Sequence, residues 1–256
     1  MKLWICGLAS ALLVLSNPEA KASVLIDWGS VPESQKHLEP ITSPPGPNGT
    51  YTTGSDFSNV LVTVAGSGFV QSGLHDPKID PKGSPFPVPV LSTTADFKTS
   101  SNSPTVTFTI DFFGFKQGVK DVSFTLFNID ADKNGPHLVQ DVVTFQTAAG
   151  LTLTGGADNV VSGNTVTGIG DSGPESTDSP QGDVNVKFGN LPLHQIVFNW
   201  TRLAAGPGEN LDEIAIGNIS FTPVPEVGQL AIGLVACLLG ALWLRKNYRK
   251  RANSLT

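Results

Sequence analysis

The sequence predicts an all-β domain, an antiparallel β-sandwich of jelly-roll type, and three observations lead there. Apolar and polar residues alternate with period two in several segments, which is the signature of half-buried strands. The 256 residues include 27 Gly and 19 Pro, about half as much again as the background of about 12%. Both residues oppose helix, Gly through backbone entropy and Pro through its missing donor and its clash with the preceding turn. No amphipathic helical pattern of useful length occurs in the body of the chain.

The strongest strand runs through Val106, Phe108, Ile110 and Phe112, which alternate with Thr105, Thr107, Thr109 and Asp111. Val122, Phe124 and Leu126 repeat the pattern, followed by Val184, Val186 and Phe188, and then by Ile196, Phe198 and Trp200. Ile214 and Ile216 are in step with one another, whereas Ile219 and Phe221 are shifted by one residue. One extra residue near Gly217 and Asn218, a β-bulge, accounts for the shift. Shorter strands are expected at 24–28, 60–64, 142–145, 151–153 and 160–166. About ten strands result, joined by long connections at 32–55, 72–89 and 168–182.

The two ends read as addresses rather than as fold. Residues 1–22 combine Lys2, the apolar run 3–15 and a small-residue site at Ala20 and Ala22, the layout of a secretory signal peptide. At the other end, residues 227–244 are apolar and uncharged, long enough for one transmembrane helix. Arg245, Lys246, Arg249, Lys250 and Arg251 follow and hold that flank in the cytoplasm. The expected organisation is therefore a signal peptide at 1–22, an exported domain at 23–222, and a C-terminal segment at 223–256.

The exported region carries 9 Lys or Arg against 20 Asp or Glu, a net charge of −11. Such a surface repels phosphate backbones and argues against a nucleic-acid partner. Cys6 lies in the signal peptide and Cys237 in the apolar span, so the exported region has no thiol. Disulfides, thiol catalysis and thiolate metal sites are thereby excluded from it.

One local pattern points to a cation. Asp130, Asp132 and Asn134 occupy the first, third and fifth places of a calcium-loop spacing, Gly135 the turn, and Asp141 the twelfth. Oxygens so spaced converge on one hard cation, and Ca2+ is the cofactor this spacing suggests. Strands rather than helices flank the loop, and the same residues suit an ordinary hairpin that turns at Asn134 and Gly135. Residues 170–174, Gly-Asp-Ser-Gly-Pro, resemble the surroundings of a serine-protease nucleophile, yet no histidine stands at a matching spacing. No pair of acid and base is picked out by spacing either, so the chain reads as a non-enzyme, with no catalytic residues. The rival reading is a secreted hydrolase acting on matrix polysaccharide. Trp28 and Trp200 are candidates for a sugar-stacking platform, although Trp200 continues the inward face of Ile196 and Phe198 and so reads as core.

At the C-terminus, Pro223, Val224, Pro225 and Glu226, then the apolar span, then the basic cluster, resemble the PEP-CTERM sorting signal of exported Gram-negative proteins. Pro225 and Glu226 match the motif, and Val227 stands where the third residue is normally Pro. The resemblance implies recognition by an exosortase-like processing enzyme, transient anchoring in the inner membrane, and a destination at the cell surface or in the extracellular exopolysaccharide matrix. It also implies a sandwich of a kind that often resembles carbohydrate-binding modules. Glycan binding and a purely structural role are the expected activities, with exopolysaccharide as the candidate partner. A plain stalk and membrane anchor, without processing, is the simpler alternative.

Overall fold

The structure is a computed structural model and describes residues 23–31, 39–40, 48–52, 59–67, 78–80, 86–96, 105–132, 139–170, 180–203, 211–226 and 238–243. Residues Ser23–Pro223 form one compact unit, and Met1–Ala22 with Val224–Thr256 form a second. Among the described residues the first unit is nearly all β, with two antiparallel sheets of eight and nine strands. Among the described residues its helical content is two short 3-10 turns, at Trp28–Ser30 and Pro180–Gly182.

Sheet 1 holds β1 (Val24–Ile26), β5 (Lys78–Asp80), β6 (Val90–Asp96), β8 (Val119–Phe127), β11 (Leu151–Gly155), β14 (Val184–Phe188), β16 (Leu211–Ile216) and β17 (Ile219–Pro223). Sheet 2 holds β2 (Glu39–Pro40), β3 (Asn48–Thr52), β4 (Leu61–Ser67), β7 (Thr105–Asp111), β9 (Ala131–Asp132), β10 (Val139–Phe145), β12 (Asn159–Ser162), β13 (Thr165–Gly168) and β15 (Gln195–Leu203). Alternation dictates the sandwich: Val106, Phe108 and Ile110 point inward from β7, and Ile196, Phe198 and Trp200 from β15. Opposite them stand Val122, Phe124 and Leu126 of β8 and Ile219 and Phe221 of β17, all in the same core cluster. Aromatic rings join the sheets directly, with Phe198 6.3 Å from Phe124, Phe145 6.2 Å from Phe188, and Phe112 5.2 Å from Phe221.

The bulge lies where the register slip requires it. Ile216 is opposite Leu126 but Ser220 is opposite Ser123, so the β16 to β17 side has one residue more. Gly217 donates to the Thr125 carbonyl at 2.8 Å, and its own carbonyl accepts from the Trp28 indole at 2.9 Å. A Cβ on Gly217 would come within 3.0 Å of the Phe127 ring, which accounts for glycine at this close approach.

Three features depart from the expected elements. The strands β2, β3 and β5 fall inside 32–55 and 72–89, which the sequence assigns to connections. The stretch 160–166 is not one strand but the hairpin β12 to β13, turned at Gly163, whose φ is +60°. The strand β6 lies in a region without an alternating pattern, because residues 90–95 are buried on both faces. Leu91 joins the main core, while Val90 packs in a second cluster with Phe86, Phe127 and Ala215 on the outer side of sheet 1.

In the second unit, residues 238–243 are helical and expose Leu238, Leu239, Leu242 and Trp243. Among the described residues no helix is long and apolar enough to cross a membrane. The rest of the expected span, and residues 1–22, lie outside the described residues.

Candidate functional site

The inward alternation of three strands delivers charge, not hydrocarbon, to one end of the core. On β10 the inward series Phe145 and Val143 continues to Asp141, and on β15 the series Phe198 and Trp200 continues to Arg202. These two residues are direct cross-strand partners in sheet 2. On β16 of sheet 1, Asp212 has the same parity as Ile214 and Ile216. Arg202 Nε lies 2.8 Å from Asp212 Oδ2 and 3.5 Å from Asp141 Oδ1, so one guanidinium ties the two sheets together.

All three side chains are at most 8% exposed. Asp141 Oδ1 also accepts from Trp200 Nε1 at 2.9 Å, and its Oδ2 from the Asp130 backbone N–H at 3.3 Å. Asp212 Oδ1 accepts from the backbone N–H of Glu213 at 2.8 Å. Arg202 Nε and Asp212 Oδ2, although close, meet off the hydrogen-bond axis, and neither atom makes a hydrogen bond.

Burial, then the charge of Asp141, drives Asp212 well above the usual carboxylate range. Burial also raises Asp141, with Asp212, then Arg202 and Trp200, acting in the other direction. Two carboxylates and one guanidinium would leave a net negative charge in the core, which is costly. A protonated Asp212 removes that charge and leaves Asp141 as the counter-ion of Arg202. The cluster is nearly buried and bridges the two sheets.

The calcium-loop residues are brought together only in part. Asp130 and Asp141 are neighbours, since the Asp141 N–H donates to the Asp130 carbonyl at 2.9 Å. Gly168 permits this approach, because a Cβ there would lie 2.0 Å from the Asp130 carbonyl oxygen. Asp132 closes the β9 to β10 ladder opposite Val139. Asn134, with the rest of 133–138, lies outside the described residues. The carboxylate of Asp141, meant for the twelfth ligand place, is engaged by Trp200, Arg202 and the Asp130 backbone. Among the described residues no group of three or more His, Cys, Asp or Glu is placed to hold a metal ion.

Neither tryptophan offers a sugar platform. Trp28 is 1% and Trp200 0% exposed, and each spends its indole N–H inside the protein, on Gly217 and Asp141. Buried rings of this kind are core with a satisfied polar handle. Of the Gly-Asp-Ser-Gly-Pro segment, residues 171–174 lie outside the described residues.

Outside the core, Lys78 pairs with Asp80 at 3.1 Å, and the Ser92 hydroxyl donates to Asp80. Glu213 is raised by burial. Asp183, beside the start of β14, is pushed up to about 6 by burial. Pro225 and Glu226 follow β17 without regular secondary structure, Pro225 half-buried and Glu226 exposed.

No family model matches the chain, and no curated protein matches it in sequence. Among solved structures it is similar to the K2 cleaved adhesin domain of Lys-gingipain, at 15% identity, with 78% of this chain and 98% of that one covered. The TM-score is 0.29, too low to carry an argument about function.

Proposed function

We propose that the protein is an exported, non-enzymatic component of the cell surface or extracellular matrix, sorted through its C-terminal segment, with a jelly-roll-like sandwich that binds glycans. The observation that carries the reading is the joint order at the C-terminus. An exposed Glu226 follows Pro225 directly after the last strand, and then come an uncharged 18-residue run and five basic residues. An anchor alone needs only the run and the basic flank. The two prolines favour an extended segment, which a membrane-embedded processing enzyme can reach. The apolar exposure of residues 238–243 on all sides is in keeping with a lipid environment. A non-enzymatic role is supported by the raised carboxyls of Asp141 and Asp212 lying nearly buried inside the sandwich.

The test is a Pro225→Ala, Glu226→Ala double variant in the native host, followed by mass spectrometry of the mature protein. Wild type is expected to lose the C-terminal segment and leave the membrane fraction, and the variant to retain both. If both forms stay membrane-bound at full length, the sorting reading fails and the stalk-and-anchor reading replaces it.

A further inference from the structure

The outward positions of sheet 2 form a pattern that neither the core nor the sorting segment uses. One rung crosses five strands through Thr165, Thr144, Asn199, Thr107 and Ala65. The next holds Thr167, Val142, Thr201 and Thr105, and another Val197, Thr109 and Thr63. Every one of these residues is half-exposed, and none of them is ionisable. Sheet geometry spaces them about 4.8 Å apart across strands and about 6.7 Å along them.

Threonine is stiff at χ1, so a grid of this kind is rigid before any ligand arrives. Cross-strand bonds fix it further: Thr107 donates to Asn199 at 3.0 Å, and the Thr144 and Thr165 hydroxyls lie 3.2 Å apart. Groups already ordered lose little entropy on binding. Sheet 1 is different on its outer side, where Lys120, Asp121 and Lys187 stand and the Phe86 cluster packs.

Charge decides what such a face can hold. The domain has a net charge of −11, and among the described residues the outward positions of sheet 2 carry no Lys or Arg, so an acidic polymer meets no compensating charge on this grid. The grid also lacks the aromatic and arginine anchors on which protein partners concentrate their binding energy. Hydroxyls and methyls in alternation suit a chain that presents the same two features, sugar hydroxyls and ring C–H groups.

We infer that the outer face of sheet 2, centred on Thr107 and Asn199, is a docking surface for an uncharged polysaccharide chain lying flat across the strands. This rests on the glycan-binding reading and names its site and ligand class.

Full-length protein in detergent is passed over cellulose, chitin and starch, with alginate as the acidic matrix. Retention is expected on at least one neutral matrix and not on alginate. Thr107→Glu and, separately, Thr109→Arg are expected to lower that retention at least tenfold, with thermal melting to report folding, while Lys187→Glu on sheet 1 leaves it unchanged. If the two sheet 2 variants melt like wild type and are retained equally well, the polysaccharide binds elsewhere, and this inference falls while the glycan reading stands. Preferential retention on alginate overturns the choice of an uncharged ligand. Retention on none of the four matrices overturns the inference and the glycan reading together.

Discussion

The two ends of the sandwich are closed by opposite chemistry. At one end Phe221 receives the edges of Phe112 and Phe115, each ring centroid 5.2 Å away, and the plug is hydrocarbon. At the other, Asp141, Arg202 and Asp212 occupy equivalent inward positions, and the plug is ionic. The aromatic end gains from every buried surface element and is indifferent to pH. The ionic end must recover the cost of removing three ionisable groups from water, so its contribution depends on protonation and on all three partners being present. It contributes less to net stability than a hydrocarbon plug would.

Truncation at the aromatic end is expected to have the largest effect. Phe221→Ala should cost about 3–5 kcal/mol in denaturant unfolding, by the same amount at pH 5 and pH 8. Arg202→Met should cost about 3 kcal/mol at pH 8 and distinctly less at pH 5. The sign follows from Asp141 and Asp212, whose values are raised in the folded state. Their contribution is fullest below the usual carboxylate range and is lost as pH rises through the raised values. Loss of the guanidinium pushes both carboxyls higher still. Equal costs at the two pH values would show that the ionic end behaves like the aromatic one.

Smaller effects sharpen the comparison. Trp28→Phe leaves the Gly217 carbonyl at the bulge without its indole donor and should cost about 1–3 kcal/mol, measured as a lowered thermal midpoint. Asp183→Asn is the smallest, under about 1 kcal/mol because solvent still screens the group. Asp183 rises to about 6 on folding, so wild type loses a little stability between about pH 4 and pH 6, and the variant should flatten that slope.

Much of this was legible in the residues. Period-two alternation marks β7, β8, β14 and β15 because each buries one face, and the one-residue slip before Ile219 marks the bulge. β6 was hidden because cover on both faces erases the alternation. Asp141 stood out through a loop spacing, whereas its partners follow from another signal. Arg202 and Asp212 both fall on inward positions of their strands, where the pattern demands an apolar side chain. A charge at such a place announces a buried partner. Its identity was not legible, because Asp141 and Arg202 are far apart in sequence and Asp212 comes from the facing sheet, and only the topology joins them.

The position of β17 has a consequence for biogenesis. It lies between β1 and β8 rather than at a sheet margin, pairing Val24 with Phe221 and Ser123 with Ser220. The Trp28 contacts with Gly217 and Asn218 likewise close loops of about 190 residues. Folding therefore cannot proceed progressively from the N-terminal side, since β8 keeps an open margin until nearly all of the domain has been synthesised. An open strand margin is a template for mispairing between chains. A chain built in this way is best kept unfolded until its last strand is delivered; under the export proposed above, it would cross a translocation channel as an extended polypeptide and complete the sandwich on the far side.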